Sequence, residues 1–269
     1  MGFKLNALVA AAMLVSGSAN AAIATSTSGN GELFLVVSDT TASYSFVADL
    51  GIAMDSFDSS MDKQSFDLNS YSQWSAFYTA IGGTLDNAAF TVLAVDSTGT
   101  NAGNDRMWLT SNIEIAYDDL AATQNKQLGG AAIVLDGTAV NTVLNQMNAN
   151  LGVVGGDMLT VANGSAYSAD GSSTYWDSNV GISMQAKLPN SVMVDADEAA
   201  NFGFMVTTGS QTTLSAVNYI QAPGQWTFDV AGGNASFTYA MPVPEAETYA
   251  MMLAGLGLVG FMVRRRTQA

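Results

Sequence analysis

Carboxylates are the main side chains in this sequence with a capacity for acid–base or ligand chemistry. The chain has no His and no Cys in 269 residues, against 23 Asp+Glu and 8 Lys+Arg. Thiol nucleophiles, imidazole bases, Ser-His-Asp triads and zinc sites of the usual Cys/His type are excluded. Paired carboxylates need neither residue and suffice for glycoside hydrolysis, but so acidic a chain supplies such pairs by chance. Two segments set several of them close together. "DSFDSSMDKQSFDLN" holds Asp55, Asp58, Asp62 and Asp67, and "DSTGTNAGND" holds Asp96, Asn101, Asn104 and Asp105. Such oxygens suit Ca²⁺, yet neither stretch has the EF-hand order with its bidentate Glu. Gly155-Gly156-Asp157 resembles half of a nonapeptide calcium repeat but is not repeated. The expectation is solvated turns, with no catalytic residue, no metal site and no cofactor.

One glycine motif is set aside on context. Gly255–Gly260, "GLGLVG", fits the dinucleotide pattern G-x-G-x-x-G. No strand precedes it and no βαβ unit follows. Exposed aromatics such as Trp108, Tyr175 and Trp176 would stack on sugar rings if the protein binds carbohydrate; the alternative for each is core packing.

The elements that would position these residues read as mainly β. Runs such as "ELFLVVSD", "SYSFVADLG", "AFTVLAVDS", "RMWLTSNIEIAYDD", "AAIVLDG", "VGISMQAKLP", "NFGFMVTTGS" and "TLSAVNYIQ" are separated by Gly, Asn, Asp and Ser. "QWTFDVAGG" and "NASFTYAM" predict a hairpin about Gly232-Gly233-Asn234, with Trp226, Phe228 and Val230 in the first strand and Phe237 and Tyr239 in the second alternating with polar neighbours. Two stretches have helical spacing. Trp74, Phe77, Tyr78 and Ile81 precede Gly82-Gly83, and Val140, Leu144, Met147 and Leu151 precede Gly152. The expected fold is mainly β, an antiparallel β-sandwich or jelly-roll-like body with two short helices. A C-terminal hydrophobic helix follows it. Without Cys, that body must rest on its apolar core.

Both chain ends carry targeting features. Residues 1–21, with Lys4, an apolar run and Ala19-Asn20-Ala21, have the layout of a secretory signal peptide. Residues 22–241 form the exported body, and 242–269 a separate tail. The body keeps only Lys63, Arg106, Lys126 and Lys187 as cations, and the whole chain has a formal net charge of −15. Such a surface repels phosphate backbones, so nucleic acid is not an expected partner. In the tail, Tyr249–Val263 is uncharged and apolar and is followed by Arg264, Arg265 and Arg266. As a helix it spans about 22 Å at roughly 1.5 Å per residue, short of a comfortable bilayer crossing. The arginines are expected on the cytoplasmic side.

Val243-Pro244-Glu245-Ala246-Glu247, then the apolar run, then the arginine cluster, resembles the PEP-CTERM sorting signal of Gram-negative bacteria. Pro244 and Glu245 match its Pro-Glu-Pro tripeptide, and Ala246 stands where the second Pro would be. The resemblance implies an exosortase-like membrane enzyme that processes the tail at Pro244 and Glu245, with Arg264–Arg266 setting orientation. It implies transient insertion in the inner membrane, then delivery to the cell surface or extracellular matrix. "GNGELFLVVSD" with "SYSFVADLGIAMDSF" is similar to the N-terminal half of a group of such proteins with no assigned activity. The role implied is structural or adhesive, in exopolysaccharide, biofilm or floc, and not enzymatic. The alternatives are a secreted carbohydrate-binding or carbohydrate-active protein and a permanently membrane-anchored envelope protein.

Overall fold

The computed structural model describes residues 22–24, 29–61, 63–97, 103–112, 122–124, 127–128, 140–181, 193–210, 212–231 and 234–241. Among these residues, eleven strands form one antiparallel sheet: β1 Glu32–Asp39, β2 Tyr44–Ala53, β3 Lys63–Asp67, β4 Ala88–Ser97, β5 Asp105–Asn112, β6 Gly155–Gly156, β7 Ser165–Ala169, β8 Val194–Asp195, β9 Ala200–Val206, β10 Asn218–Ala231 and β11 Asn234–Ala240. The order across the sheet is β3-β11-β10-β9-β5-β4-β1-β2-β7-β6, with β8 pairing off this path on β4. Helix α1 is Trp74–Ala80 and α2 is Val140–Asn148. The expected mainly-β antiparallel body is therefore present. Its sandwich character comes from the curl of a single sheet.

That curl follows from where the aromatics sit. Phe90 on β4 lies 5.0 Å from Phe228 on β10 and 5.4 Å from Phe237 on β11. β5 and β9 separate those strands within the sheet, so the contacts require it to bend back over its own face. Trp74 of α1 fills the gap between the two ends, 5.2 Å from Phe46 on β2 and 6.5 Å from Phe228. Phe57 stands at the centre, 5.2 Å from Trp108, 5.3 Å from Phe202 and 5.2 Å from Tyr239. Each such ring pair contributes about 0.5–1.5 kcal/mol beyond its burial. This aromatic interior is what a Cys-free chain has in place of cross-links.

The outer face is covered only in part. Over β1, β4 and β5, the side chains of Val143, Leu144 and Met147 from α2, with Trp176, pack on Phe34, Val36, Leu93 and Leu109. β1 is thus buried on both faces, which is why it reads as an unbroken apolar run. Among the described residues, nothing of this kind covers the outer face of β10, β11 and β3, where Ser65, Asp67, Thr227 and Asp229 are exposed.

Five details differ from expectation. "TLSAVNYIQ" and "QWTFDV" are one strand, β10, which passes Pro223 and Gly224 through an irregularity between Gln221 and Gln225. β2 does not stop at Gly51 but runs on to Ala53, with a register shift against β1. In α2, Val143 joins the buried stripe, whereas Leu151 lies beyond the helix and is 61% exposed. Val230 shares the face of Trp226 but projects past the core. The start of "VGISMQAKLP" is a helical turn, Asp177–Gly181; its remainder lies outside the described residues, as do "AAIVLDG" and the end of "RMWLTSNIEIAYDD".

Candidate functional site

The strand that leads into the tail is held firmly. β11 is hydrogen-bonded on both flanks, with Ala240 opposite Gln225 on β10 and Lys63 on β3. Tyr239 adds a side-chain tie: its hydroxyl accepts from the Gly224 N–H at 2.9 Å and donates to the Ser59 carbonyl at 2.9 Å. A Cβ at Gly224 would stand 2.4 Å from that ring, so only glycine admits this approach. Burial raises the Tyr239 pKa, against the lowering effect of the Gly224 N–H. Four residue steps lead from Ala240 to Pro244, a reach of at most about 14 Å. Pro244, Glu245, Tyr249–Val263 and Arg264–Arg266 lie outside the described residues, as do residues 1–21. Among the described residues, no helix is long and apolar enough to cross a membrane.

The two acidic segments are structural in different ways. Arg106 on β5 gathers one carboxylate from each. Its Nε and Nη2 donate to Asp96 Oδ2 at 2.9 and 2.6 Å, Nη1 donates to Asp55 Oδ1 at 2.7 Å, and Nη2 also reaches the Gly29 carbonyl at 3.0 Å. Burial works against the guanidinium charge, but Asp96 and Asp55 outweigh it and hold the pKa above its ordinary value. Asp58 accepts from the Ser60 hydroxyl and N–H, which lowers its pKa. Asp67 caps the 3₁₀ turn Leu68–Ser70 through the Asn69 N–H at 3.0 Å. Asp105 accepts from the Ser97 hydroxyl at 3.1 Å. Asp62 and Asn101 lie outside the described residues. Among those described, no group of three or more His, Cys, Asp or Glu could hold a metal ion.

A carboxylate outside both segments is strongly perturbed. Asp49 on β2 is 1% exposed and its pKa is pushed up to about 7, by burial first and then by the charge of Glu32; the Gly51 N–H pulls the other way. That N–H donates to Asp49 Oδ1 at 2.8 Å, and Gly51 holds φ at +66°, closing a tight turn within the strand. Asp-x-Gly is the signature of such a turn, and it was the available sequence signal. Tyr71 donates to the Asp49 carbonyl at 3.0 Å, which ties the segment before α1 to β2.

The aromatics proposed for sugar stacking are not surface groups. Trp108 is 9% exposed, Tyr175 4% and Trp176 0%. Trp108 stacks on Phe202 at 5.0 Å and donates to the Met54 carbonyl, while Trp176 packs edge-on to Phe34. Trp108 belongs to the core on the inner face of the sheet, Trp176 to the cluster on its outer face, and Tyr175 is buried beside it. The accessible feature is instead polar. Ser65, Asp67, Asp229, Asn234, Ala235 and Ser236 line an open cleft of about 330 Å³ on the uncovered face. Pairing sets Asp67, Ser236 and Asp229 in one row across β3, β11 and β10, and Ser65, Thr238 and Thr227 in the next.

The fold defines a mainly-β body with a polar sheet face and a firmly held final strand. Residues 242–266 match the PEP-CTERM protein-sorting motif, the segment that begins two residues after that strand. This supports an exported protein, sorted at the membrane by an exosortase-type processing enzyme. No curated protein and no solved structure matches the chain.

Proposed function

We propose that this is a non-enzymatic surface or matrix protein with a structural or adhesive role in exopolysaccharide, biofilm or floc. The observation that carries the reading is the sorting motif at 242–266, joined by a very short spacer to a body pinned through its last strand. Pro244 and Glu245 are the processing determinants, Tyr249–Val263 the transient anchor in the inner membrane, and Arg264–Arg266 the orientation signal. The body stays outside, and processing frees it for the cell surface or matrix. Intact mass of protein recovered from membrane and extracellular polymer fractions tests this. A polymer-fraction mass ending near Val243–Glu247 is expected. A chain running through Ala269 and found only in membranes would mean a permanent anchor.

A second reading, carbohydrate binding, has one favourable observation: the hydroxyl- and carboxylate-bearing rows beside the cleft. Hydrogen bonding there would replace the stacking that Trp108, Tyr175 and Trp176 are too buried to provide. Affinity electrophoresis in exopolysaccharide should show retardation lost in Thr227→Ala/Asp229→Ala; unretarded wild-type protein removes this reading.

A further inference from the structure

Among the described residues the sheet ends on one side at β3. Along Lys63–Asp67 exposure alternates, with Lys63, Ser65 and Asp67 exposed on the outer face and Gln64 and Phe66 half-buried on the inner. β11 occupies one flank, and among the described residues no strand pairs with the other. Such an edge directs backbone N–H and C=O groups outward, as a template for a further strand. A short strand with an outward Lys is ordinarily protection against pairing. Here the Lys has a counterpart in the same strand. Lys63 and Asp67 sit two residues either side of Ser65, on the same face. Among the described residues Lys63 makes no ion pair, and only Arg106 does so with carboxylates.

We propose that β3 pairs antiparallel with β3 of a second copy of this chain, about a two-fold axis at Ser65, continuing the sheet from one copy into the next. In that register Ser65 faces Ser65, Lys63 faces Asp67 and Asp67 faces Lys63. Opposite residues across such a pair have Cβ atoms about 4.5–5.5 Å apart, close enough for both ion pairs. A two-fold axis perpendicular to the sheet keeps the outer faces of both copies on one side, so no apolar residue is turned to solvent. Other registers lose the match. An axis at Lys63 sets Lys63 against Lys63, and one at Asp67 sets Asp67 against Asp67. An axis at Gln64 or Phe66 places the charges against uncharged residues.

The absence of cysteine makes the geometry directly testable. Ser65→Cys in the full chain, purified in mild detergent, places two thiols across the axis at a separation a disulfide accepts. Mild oxidation should yield a covalent dimer roughly tenfold faster than Thr227→Cys, an exposed position on the same face of an interior strand. Adding Lys63→Glu should slow the Ser65→Cys coupling several-fold. Adding Asp67→Asn to that pair should restore part of the rate, because Asn keeps the cap of the following turn while removing the repulsion. A chain merely unfolded by Lys63→Glu would not recover in this way. Equal rates for Ser65→Cys and Thr227→Cys would overturn the proposal. Fast Ser65→Cys coupling indifferent to Lys63→Glu would overturn the two-fold register.

Discussion

Asp49→Asn should make the protein more stable at pH 8 and remove part of its pH dependence. In the unfolded chain Asp49 has its ordinary pKa of 3.8; in the fold burial and Glu32 raise it to about 7. Well below pH 3.8 the group is neutral in both states and costs nothing. Between pH 4 and 7 the folded state binds more protons than the unfolded one, so stability falls as pH rises. Above pH 7 the carboxylate is charged in both states and the full penalty is present. At about 1.4 kcal/mol per pH unit, the difference corresponds to about 4 kcal/mol. Asn retains the acceptor for the Gly51 N–H, so the turn persists. Urea unfolding of wild type and Asp49→Asn at pH 4 and pH 8 measures the difference. The variant should gain up to about 4 kcal/mol at pH 8 and little at pH 4. Parallel stability curves at both pH values would refute the assignment of a buried, proton-holding Asp49.

Two further outcomes follow from the same packing, and a third from the sorting tail. Arg106→Met should destabilise by about 3–5 kcal/mol, because it leaves the buried Asp96 carboxylate without its counter-charge; adding Asp96→Asn should recover much of the loss in urea titration. Phe57→Ala should cost about 3–5 kcal/mol, as a ring surrounded by Trp108, Phe202, Trp226 and Tyr239 leaves a cavity the sheet cannot close; thermal unfolding reports it. Neutral residues in place of Arg264–Arg266 should impair retention and processing; a normal yield of mature, surface-located protein in fractionated cells would contradict the orientation role.

How far the sequence could be read depended on whether the signal was local. The sorting tail was legible because its ordered parts lie in a single stretch. β1 and α1 were legible for the same reason: an apolar run bounded by Asp39-Thr40, and aromatics at helical spacing ahead of Gly82-Gly83. β10 was not, since Pro223 and Gly224 mark a break in any local rule. In the fold, the bulge between Gln221 and Gln225 takes up Pro223, which has no N–H to donate, and Tyr239 fills the space over Gly224. Leu151 fitted the helical stripe, but α2 ends at Asn148 and the chain then turns away.

The chemistry divides along the same line. Composition alone excluded His- and Cys-dependent catalysis and required a core without disulfides. Asp49-Leu50-Gly51 reads as a turn, but nothing in the sequence distinguished the ionisation of Asp49 from that of the other carboxylates. That distinction belongs to burial, which depends on residues distant in the chain: Tyr71 ties the turn to the segment before α1, and the Asp49 N–H donates to the Gly164 carbonyl at 3.0 Å. Likewise Trp108 and Trp176 could have been stacking platforms or core until the sheet curled and α2 covered its outer face. Sequence determines what a side chain is able to do. Desolvation and proximity decide what it does, and both arise only when distant segments pack together.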